Sequence, residues 1–108
     1  MSGSEEAAFA LDRLIHEPNR LAILTVLASV KDADFVFLQR ALGLTNGNLS
    51  SHLTKLEDAG LVVIEKTFVG KKPRTSAALT SEGRTGIAAH WEQLERLRAI
   101  AVQPGSFG

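Results

Sequence analysis

The chain has 108 residues, 44% of them hydrophobic, which suits one small domain with a single core. Cysteine is absent, so a disulfide framework and a thiolate metal site are both excluded. No apolar run is long enough to cross a bilayer, and the start MSGSEEAAFA does not have the charged and apolar regions of a secretory signal. We therefore expect a soluble cytoplasmic protein with no membrane association.

The charged residues cancel in number but are segregated along the chain. Twelve basic and twelve acidic side chains give no net charge, which by itself argues against binding to nucleic acid. However, residues 5–17 contain four acids and one arginine, whereas residues 66–74 contain three lysines, one arginine and no acid. The basic segment keeps nucleic acid among the candidate partners.

Two helices are predicted in the first thirty residues. The first covers residues 5–15 and includes the apolar side chains of Phe9 and Leu14. Proline disfavours a helical residue before it but is accepted in a first turn, so Pro18 separates this helix from a second one that ends near Ser29. The second helix is apolar on almost every side, which predicts a central position in the core.

A short loop at residues 31–33 precedes two helices joined by a tight turn. The third predicted helix covers residues 35–42, with Asp34 as its N-cap and Gly43 as its left-handed C-terminal cap. Thr45 is placed to cap a fourth helix over residues 46–59, and Gly60 ends it. A connection of about three residues between two helices is typical of a helix-turn-helix.

The fourth predicted helix has one apolar face and one unusually polar face. Its buried face is formed by Leu49, Leu53 and Leu56. At about 100° per residue, the outward positions are Gly47, Asn48, Ser51, Thr54, Lys55 and Asp58, with Ser50 and His52 on the flanks. A solvated helix usually carries better helix formers, whereas a helix in a DNA groove needs short hydrogen-bonding side chains. An alternative is that residues 46–48 belong to a loop before a shorter helix.

Residues 61–79 predict a β-hairpin with a basic tip. Residues 61–69 are rich in β-branched and aromatic side chains, residues 70–74 read as a turn, and residues 75–79 return as a short strand. The tip is either a solvated loop that prevents unwanted strand pairing or a contact to DNA phosphates or a minor groove. Its position directly after a candidate recognition helix favours contact with DNA.

Thr80 is placed to cap a last helix that runs from about Ser81 to Val102. About 22 residues at about 1.5 Å each would span about 33 Å, which is longer than a small core requires. Its apolar stripe consists of Ile87, Trp91, Leu94, Leu97 and Ala101. Together with Phe9 and Leu14, this stripe suits a two-fold dimer interface, and the alternative for part of it is packing on the first helix of the same subunit.

The order of these elements resembles bacterial and archaeal winged helix-turn-helix transcriptional regulators of the MarR/ArsR superfamily, especially their small single-domain members. The segments that carry the resemblance are PNRLAIL, LGLTNGNLSSHLTKLEDAGLV, KTFVGKKPRT and LTSEGR, which span most of residues 18–84. The resemblance implies an α+β, mostly α, fold: a winged helix-turn-helix with a two-stranded wing and a long C-terminal helix. Residues 1–108 would then form one DNA-binding domain.

The resemblance also implies a homodimer on double-stranded DNA, with each fourth helix in a major groove of an inverted repeat. The matching DNA-binding positions are Thr45, Asn46, Asn48, Ser50, Ser51, His52 and Lys55 on the helix, and Lys71, Lys72 and Arg74 on the wing. The helix has no arginine, the residue that most often reads guanine. We therefore expect affinity to depend on wing-to-phosphate contacts and on DNA shape.

Other functions have less support in the sequence. The three histidines, His16, His52 and His90, are far apart along the chain, so we expect no metal site and no cofactor, and His90 is read as a surface or packed residue. No residue demands an effector pocket between the first and last helices. We expect no enzymatic activity, because no catalytic constellation is evident. The two remaining hypotheses are a repressor and a winged-helix module that binds another protein, which the zero net charge and missing arginine keep open.

Overall fold

The computed structural model describes residues 13–101. Its elements are α1 (Pro18–Ala28), β1 (Ala33–Asp34), α2 (Phe35–Leu42), α3 (Asn46–Asp58), β2 (Val62–Val69), β3 (Lys72–Leu79) and α4 (Ser81–Ala101). Residues 13–16 are also helical, so the described end of the predicted first helix, residues 13–15, is confirmed and the helix continues to His16. The rest of that helix, including Phe9, lies outside the described residues, as does the predicted end of the last helix at Val102.

Helix α1 begins where the sequence predicts it. Glu17 is extended, with a ψ of 128°, and its carboxylate accepts hydrogen bonds from the amides of Asn19 and Arg20 at 3.0 and 3.1 Å. Pro18 follows in the first turn, where its missing N–H costs nothing. Three apolar side chains of α1 are fully buried: Ile23, Leu24 and Leu27. The predicted central position of this helix is confirmed.

Helices α2 and α3 form the predicted helix-turn-helix. The Asp34 carboxylate accepts from the amide of Phe37 at 2.7 Å, and Gly43 ends α2 with a φ of 66°, a left-handed conformation that favours glycine. The hydroxyl of Thr45 accepts from the amide of Asn48 at 3.1 Å and starts α3. Because α3 already begins at Asn46, the alternative of a loop at residues 46–48 is wrong.

The described residues form a three-stranded antiparallel sheet in the order β1-β3-β2. Strand β1 lies in the segment predicted as a loop, where Ala33 pairs with Ala77 and the adjoining Asp34 pairs with Ser76. The loop prediction is correct for residues 31 and 32 and wrong at Ala33, because the outer edge of β3 offers backbone partners to Ala33 and Asp34. A strand of two residues has no alternating pattern from which it could be recognised.

The hairpin is tighter than the sequence predicted. Strands β2 and β3 pair from Val62 with Leu79 to Val69 with Lys72, which leaves only Gly70 and Lys71 in the turn. The φ of 64° at Gly70 suits the first central position of a two-residue hairpin turn. Pro73 therefore lies within β3 and not in a loop. It is accepted there because β1 pairs with β3 only at Ser76 and Ala77, so no strand needs the missing N–H.

The core is formed by side chains from every helix and from the sheet. Its largest fully buried members are Ile15, Ile23, Leu24, Leu27, Leu38, Leu49, Leu53, Leu56 and Val62. Helix α4 joins this core through the Thr80 hydroxyl, which accepts from the Gly83 amide at 2.9 Å and donates to the Gly60 carbonyl at 2.6 Å. The backbone at Gly83 lies so close to Leu61 that a Cβ on residue 83 would overlap the carbonyl oxygen of Leu61. The predicted cap at Thr80 is confirmed.

Candidate nucleic-acid interface

Helix α3, the predicted recognition helix, is anchored on one side and open on the other. Leu49, Leu53 and Leu56 have no solvent exposure. The exposed positions are Asn46, Gly47, Asn48, Ser51, Thr54, Lys55, Glu57 and Asp58. The predicted orientation of the helix is therefore confirmed, with short polar side chains on the open face near its start. Such side chains can donate and accept hydrogen bonds at base edges without holding the backbone away.

A cleft of about 660 Å³ separates α3 from the hairpin. It is lined by Phe35, Asn46, Ser50, Thr54, Glu57, Ile64, Lys66 and Thr75. Lys66 thus lies across the cleft from Asn46 and Ser50, although it was not among the predicted site residues. The alternation of β2 indicates its side, because Lys66 is two residues after Ile64 and therefore on the same face of the strand.

The two faces of the hairpin carry different side chains. Lys66 pairs with Thr75 across the strands, and this pair continues the face on which Ile64 approaches α3. Thr67 pairs with Arg74 on the opposite face. Successive residues of a strand point to opposite sides, so Lys66 and Arg74 project away from each other.

Arg74 is engaged in ion pairs on the outer face. Its guanidinium lies 3.1 Å from the carboxylate of Asp32 and 3.9 Å from that of Asp34, and its side chain is 34% exposed. The wing residue predicted to bind DNA is thus connected to the segment before α2. Lys71 and Lys72 are exposed at the tip, and neither has an ion-pair partner among residues 13–101.

His52 is also engaged within the fold. Its Nδ1 lies 3.4 Å from Oε2 of Glu17 and 3.3 Å from Nη1 of Arg20, and the side chain is only 16% exposed. The Nε of Arg20 donates to the carbonyl of Leu14 at 2.7 Å. His52 therefore joins the flank of α3 to the start of α1, while the open face of α3 is left to its smaller neighbours.

Glu17 is the acceptor at the centre of this cluster. Burial acts to raise the pKa of Glu17, but the amides of Asn19 and Arg20, together with the charges of His52 and Arg20, lower it, and the net pKa is below the ordinary 4.5. The carboxylate is therefore charged at neutral pH. It stabilises the beginning of α1 and faces the side chain that anchors α3.

The fold brings His16 and His90 together, although they are far apart along the chain. Their ring centroids are 5.5 Å apart, beside a cavity of about 170 Å³ that Gln93, Leu94 and Leu97 also line. His90 is only 5% exposed, so the reading of it as a packed residue is confirmed. Within residues 13–101, no group of three or more histidine, cysteine or acidic side chains is placed to hold a metal ion.

The predicted dimer residues differ in how far their own subunit buries them. Ile87, at 3% exposure, belongs to the core of its own subunit, and Leu14 packs partly buried against that core. Ile87 is therefore buried within the subunit, while packing of the stripe on the first helix stays a prediction, since most of that helix lies outside the described residues. Leu94 is half-buried, and the exposed members are Trp91, Leu97 and Ala101. Phe9 is outside the described range.

No helix in the described part of the chain is long and apolar enough to cross a membrane.

Comparison with known proteins agrees with this architecture. The family described as "Winged helix DNA-binding domain" matches residues 19–98. An uncharacterized protein of Methanocaldococcus jannaschii is 37% identical over 68 residues, which are 63% of this chain and 74% of that protein.

Solved structures give the same result. A transcriptional regulator homologue from Pyrococcus horikoshii OT3 has a TM-score of 0.80 at 29% identity, covering 95% of this chain and 100% of that one. A protein of Enterococcus faecalis V583 assigned to the MarR family of transcriptional regulators has a TM-score of 0.70 at 26% identity, covering 94% of each chain. The resemblance to winged helix-turn-helix regulators of the MarR/ArsR superfamily is confirmed, and the protein belongs to the winged helix DNA-binding domain family.

Proposed function

We propose that the protein is a homodimeric repressor of transcription that binds an inverted repeat in double-stranded DNA. The observation that carries this proposal is the polar open face of α3 beside a hairpin whose exposed tip is basic. Residues 1–108 act as one DNA-binding unit in the cytoplasm, associated with the nucleoid when bound. No cofactor is needed for this activity.

Base readout is assigned to the open face of α3. Asn48 and Ser51 are exposed there, and the amide of an asparagine can make a paired contact with adenine. Lys55, one turn further along, reaches a phosphate or a guanine. Thr45 acts indirectly, because its hydroxyl already accepts from the Asn48 amide and sets the start of the helix.

Affinity is assigned largely to the wing. Lys71 and Lys72 are exposed at its tip, and Lys66 faces the cleft beside α3. Lysines that neutralise phosphates release counterions, which supports binding to every sequence and makes it depend on salt. The wing therefore supplies attraction, and α3 supplies preference among sequences.

Two copies are needed because the DNA-contacting surface of one copy is small and its recognition helix has no arginine. Helix α4 offers the contact surface, since Trp91, Leu97 and Ile100 are exposed large apolar side chains on it. A two-fold dimer would place two copies of α3 on half-sites one helical turn apart, about 34–36 Å.

The test is selection of bound fragments from genomic DNA by the purified full-length chain at physiological salt. We expect an inverted repeat whose half-sites are about 10 base pairs apart. Absence of any enriched motif would overturn the proposal, and a stoichiometric protein partner without DNA binding would favour the interaction module. With the selected site placed across a reporter promoter, transcription should fall; a rise would contradict repression.

A further inference from the structure

We infer that Phe68 and Pro73 form an apolar wedge at the wing that enters the minor groove and partly unstacks a base step. This inference rests on the proposed DNA-binding function and adds a contact that the basic residues do not provide. It also accounts for Phe68, an apolar side chain that the packing of the subunit does not require.

Phe68 is the most exposed large hydrophobic side chain of the described residues, at 73%. It lies on the same face of β2 as Val62 and Ile64, which meet the core, but two alternations beyond Ile64. The core has ended before this point, since Lys66 already lies on the open cleft. The packing of the subunit therefore does not require an apolar side chain at Phe68.

Pro73 stands directly across from Phe68 in the hairpin register. Residues paired across two antiparallel strands project on one face with Cβ atoms about 5 Å apart. Proline has a fixed ring, so the phenylalanine ring has a rigid apolar neighbour. The pair lies on the face of Lys66 and Thr75, which line the cleft with α3, so it projects toward the side of the molecule that carries the recognition helix.

The charges around Phe68 and Pro73 favour a polyanion as the binding partner of this surface. Lys66 shares the face of Phe68 and Pro73, Lys71 lies in the turn beyond them, and Lys72 is next to Pro73 but projects from the other face; residues 66–74 contain no acid. Among the nearby acids, Asp32 and Asp34 are paired with Arg74 on the opposite face and Glu65 projects to that face as well, whereas Glu57 lies on α3 and lines the cleft with Lys66. An apolar tip inside a set of lysines is suited to duplex DNA, in which phosphates hold the lysines while the tip meets the base edges.

Phenylalanine and proline are among the side chains that proteins insert between base steps from the minor groove, with a bend of about 20–90° toward the major groove. Pyrimidine–purine steps unstack most easily. We therefore expect TA or CA/TG steps where the wings touch DNA, outside the bases that α3 contacts.

The experiment compares full-length wild type with Phe68→Ala, Phe68→Leu and Val63→Ala on the selected DNA. Val63→Ala is the matched control, because Val63 is an exposed apolar residue of the same strand on the opposite face. Affinity is measured by fluorescence anisotropy, bending by circularly permuted fragments, and unstacking by 2-aminopurine at the wing step. Circular dichroism and urea unfolding check that each variant is folded.

We expect wild type to bend the DNA and raise the 2-aminopurine signal. Phe68→Ala should lose both effects and about tenfold in affinity, with the salt slope unchanged. Phe68→Leu should retain most of the bend, and Val63→Ala should behave as wild type. If wild type binds its site and Phe68→Ala bends and unstacks it equally, the wedge is overturned while the proposed function stands. If wild type binds no DNA, the proposed function and the wedge fail together.

Discussion

At the scale of single residues, Glu17 stabilises the start of α1 and also contacts a side chain of the recognition helix α3. Its carboxylate caps α1 through the amides of Asn19 and Arg20, and it lies 3.4 Å from Nδ1 of His52 on the flank of α3. The sequence predicts the break at Glu17 from the proline that follows. It does not predict the capping by Glu17 or the contact with His52, which depends on how α1 packs against α3.

This cluster makes stability depend on pH. Because the pKa of Glu17 is lowered in the folded chain, its contribution is complete above the ordinary value of 4.5 and is lost as the pH falls through the folded pKa. We expect the free energy of unfolding, measured with urea, to fall more steeply below pH 4.5 in wild type than in Glu17→Gln. The glutamine keeps an acceptor oxygen but cannot lose a charge. Equal slopes in the two proteins would contradict this prediction.

Gly83 is required by the close approach of α4 to Leu61. A methyl group there would overlap the carbonyl oxygen of Leu61, so Gly83→Ala should lower the free energy of unfolding by about 1–3 kcal/mol or more. Gly47 is the matched control, since it is also helical but a Cβ there meets nothing within 4 Å. Gly47→Ala should raise stability by about 0.5–1 kcal/mol. Urea unfolding of both variants is the measurement, and a Gly83→Ala protein as stable as Gly47→Ala would contradict the prediction.

At the scale of elements, the wing is a strand pair with two different faces. One face carries Lys66 and Phe68 beside the cleft, and the other carries Arg74 in its ion pairs with Asp32 and Asp34. The sequence predicts a basic hairpin tip but assigns Lys71, Lys72 and Arg74 the same task. The register separates Arg74 from Lys71, because Arg74 lies within β3 and the turn contains only Gly70 and Lys71, while Lys72 begins β3 on the same face as Arg74.

Salt dependence should distinguish these basic residues. Lys71→Ala should weaken binding to all sequences and reduce the log–log salt slope by about 0.9, the value for one lost phosphate contact. Arg74→Ala should leave that slope nearly unchanged and should alter stability by less than about 1 kcal/mol, as is usual for a partly exposed ion pair. Anisotropy titrations at several salt concentrations measure both. An equal drop in slope for Arg74→Ala would mean that Arg74 leaves Asp32 to bind DNA.

At the scale of the whole molecule, α4 is longer than the core it packs on. Its 21 residues span about 31 Å. In the first half of the helix, Gly83, Ile87 and His90 are buried, and the same stripe continues with Leu94 half-buried and Leu97 57% exposed. One half of this face is buried in the core and the other half is exposed. This favours a second copy of the chain as the partner that buries the exposed half.

The proposed dimer should separate when a charge is placed in this stripe. Leu97→Glu should give a monomer in sedimentation equilibrium, with lost affinity for the inverted repeat because the two readers are no longer linked. Ala99→Glu is the matched control, since it adds the same charge at an exposed position of α4 about 200° around the helix. A Leu97→Glu protein that remains dimeric would place the interface elsewhere.

Local physics explains which features were predictable. Asp34, Thr45 and Thr80 were predicted as caps because a capping side chain bonds to amides within three residues of itself. The buried leucines of α3 follow from helical spacing alone. By contrast, strand β1, the two-residue turn at Gly70, and the proximity of His16 to His90 all depend on partners that no local pattern specifies.

The sequence by itself determined the order of the helices and the hairpin, the caps at Asp34, Thr45 and Thr80, the polar open face of α3 and the basic character of the wing, because each is decided by neighbours within a turn or a strand alternation. Only the tertiary structure decided which polar side chains are free. It pairs Arg74 with Asp32 and His52 with Glu17, and it leaves Phe68 exposed beside the lysines. The reason is that a long-range contact forms between two of many chemically suitable partners, and packing of the whole chain selects the pair.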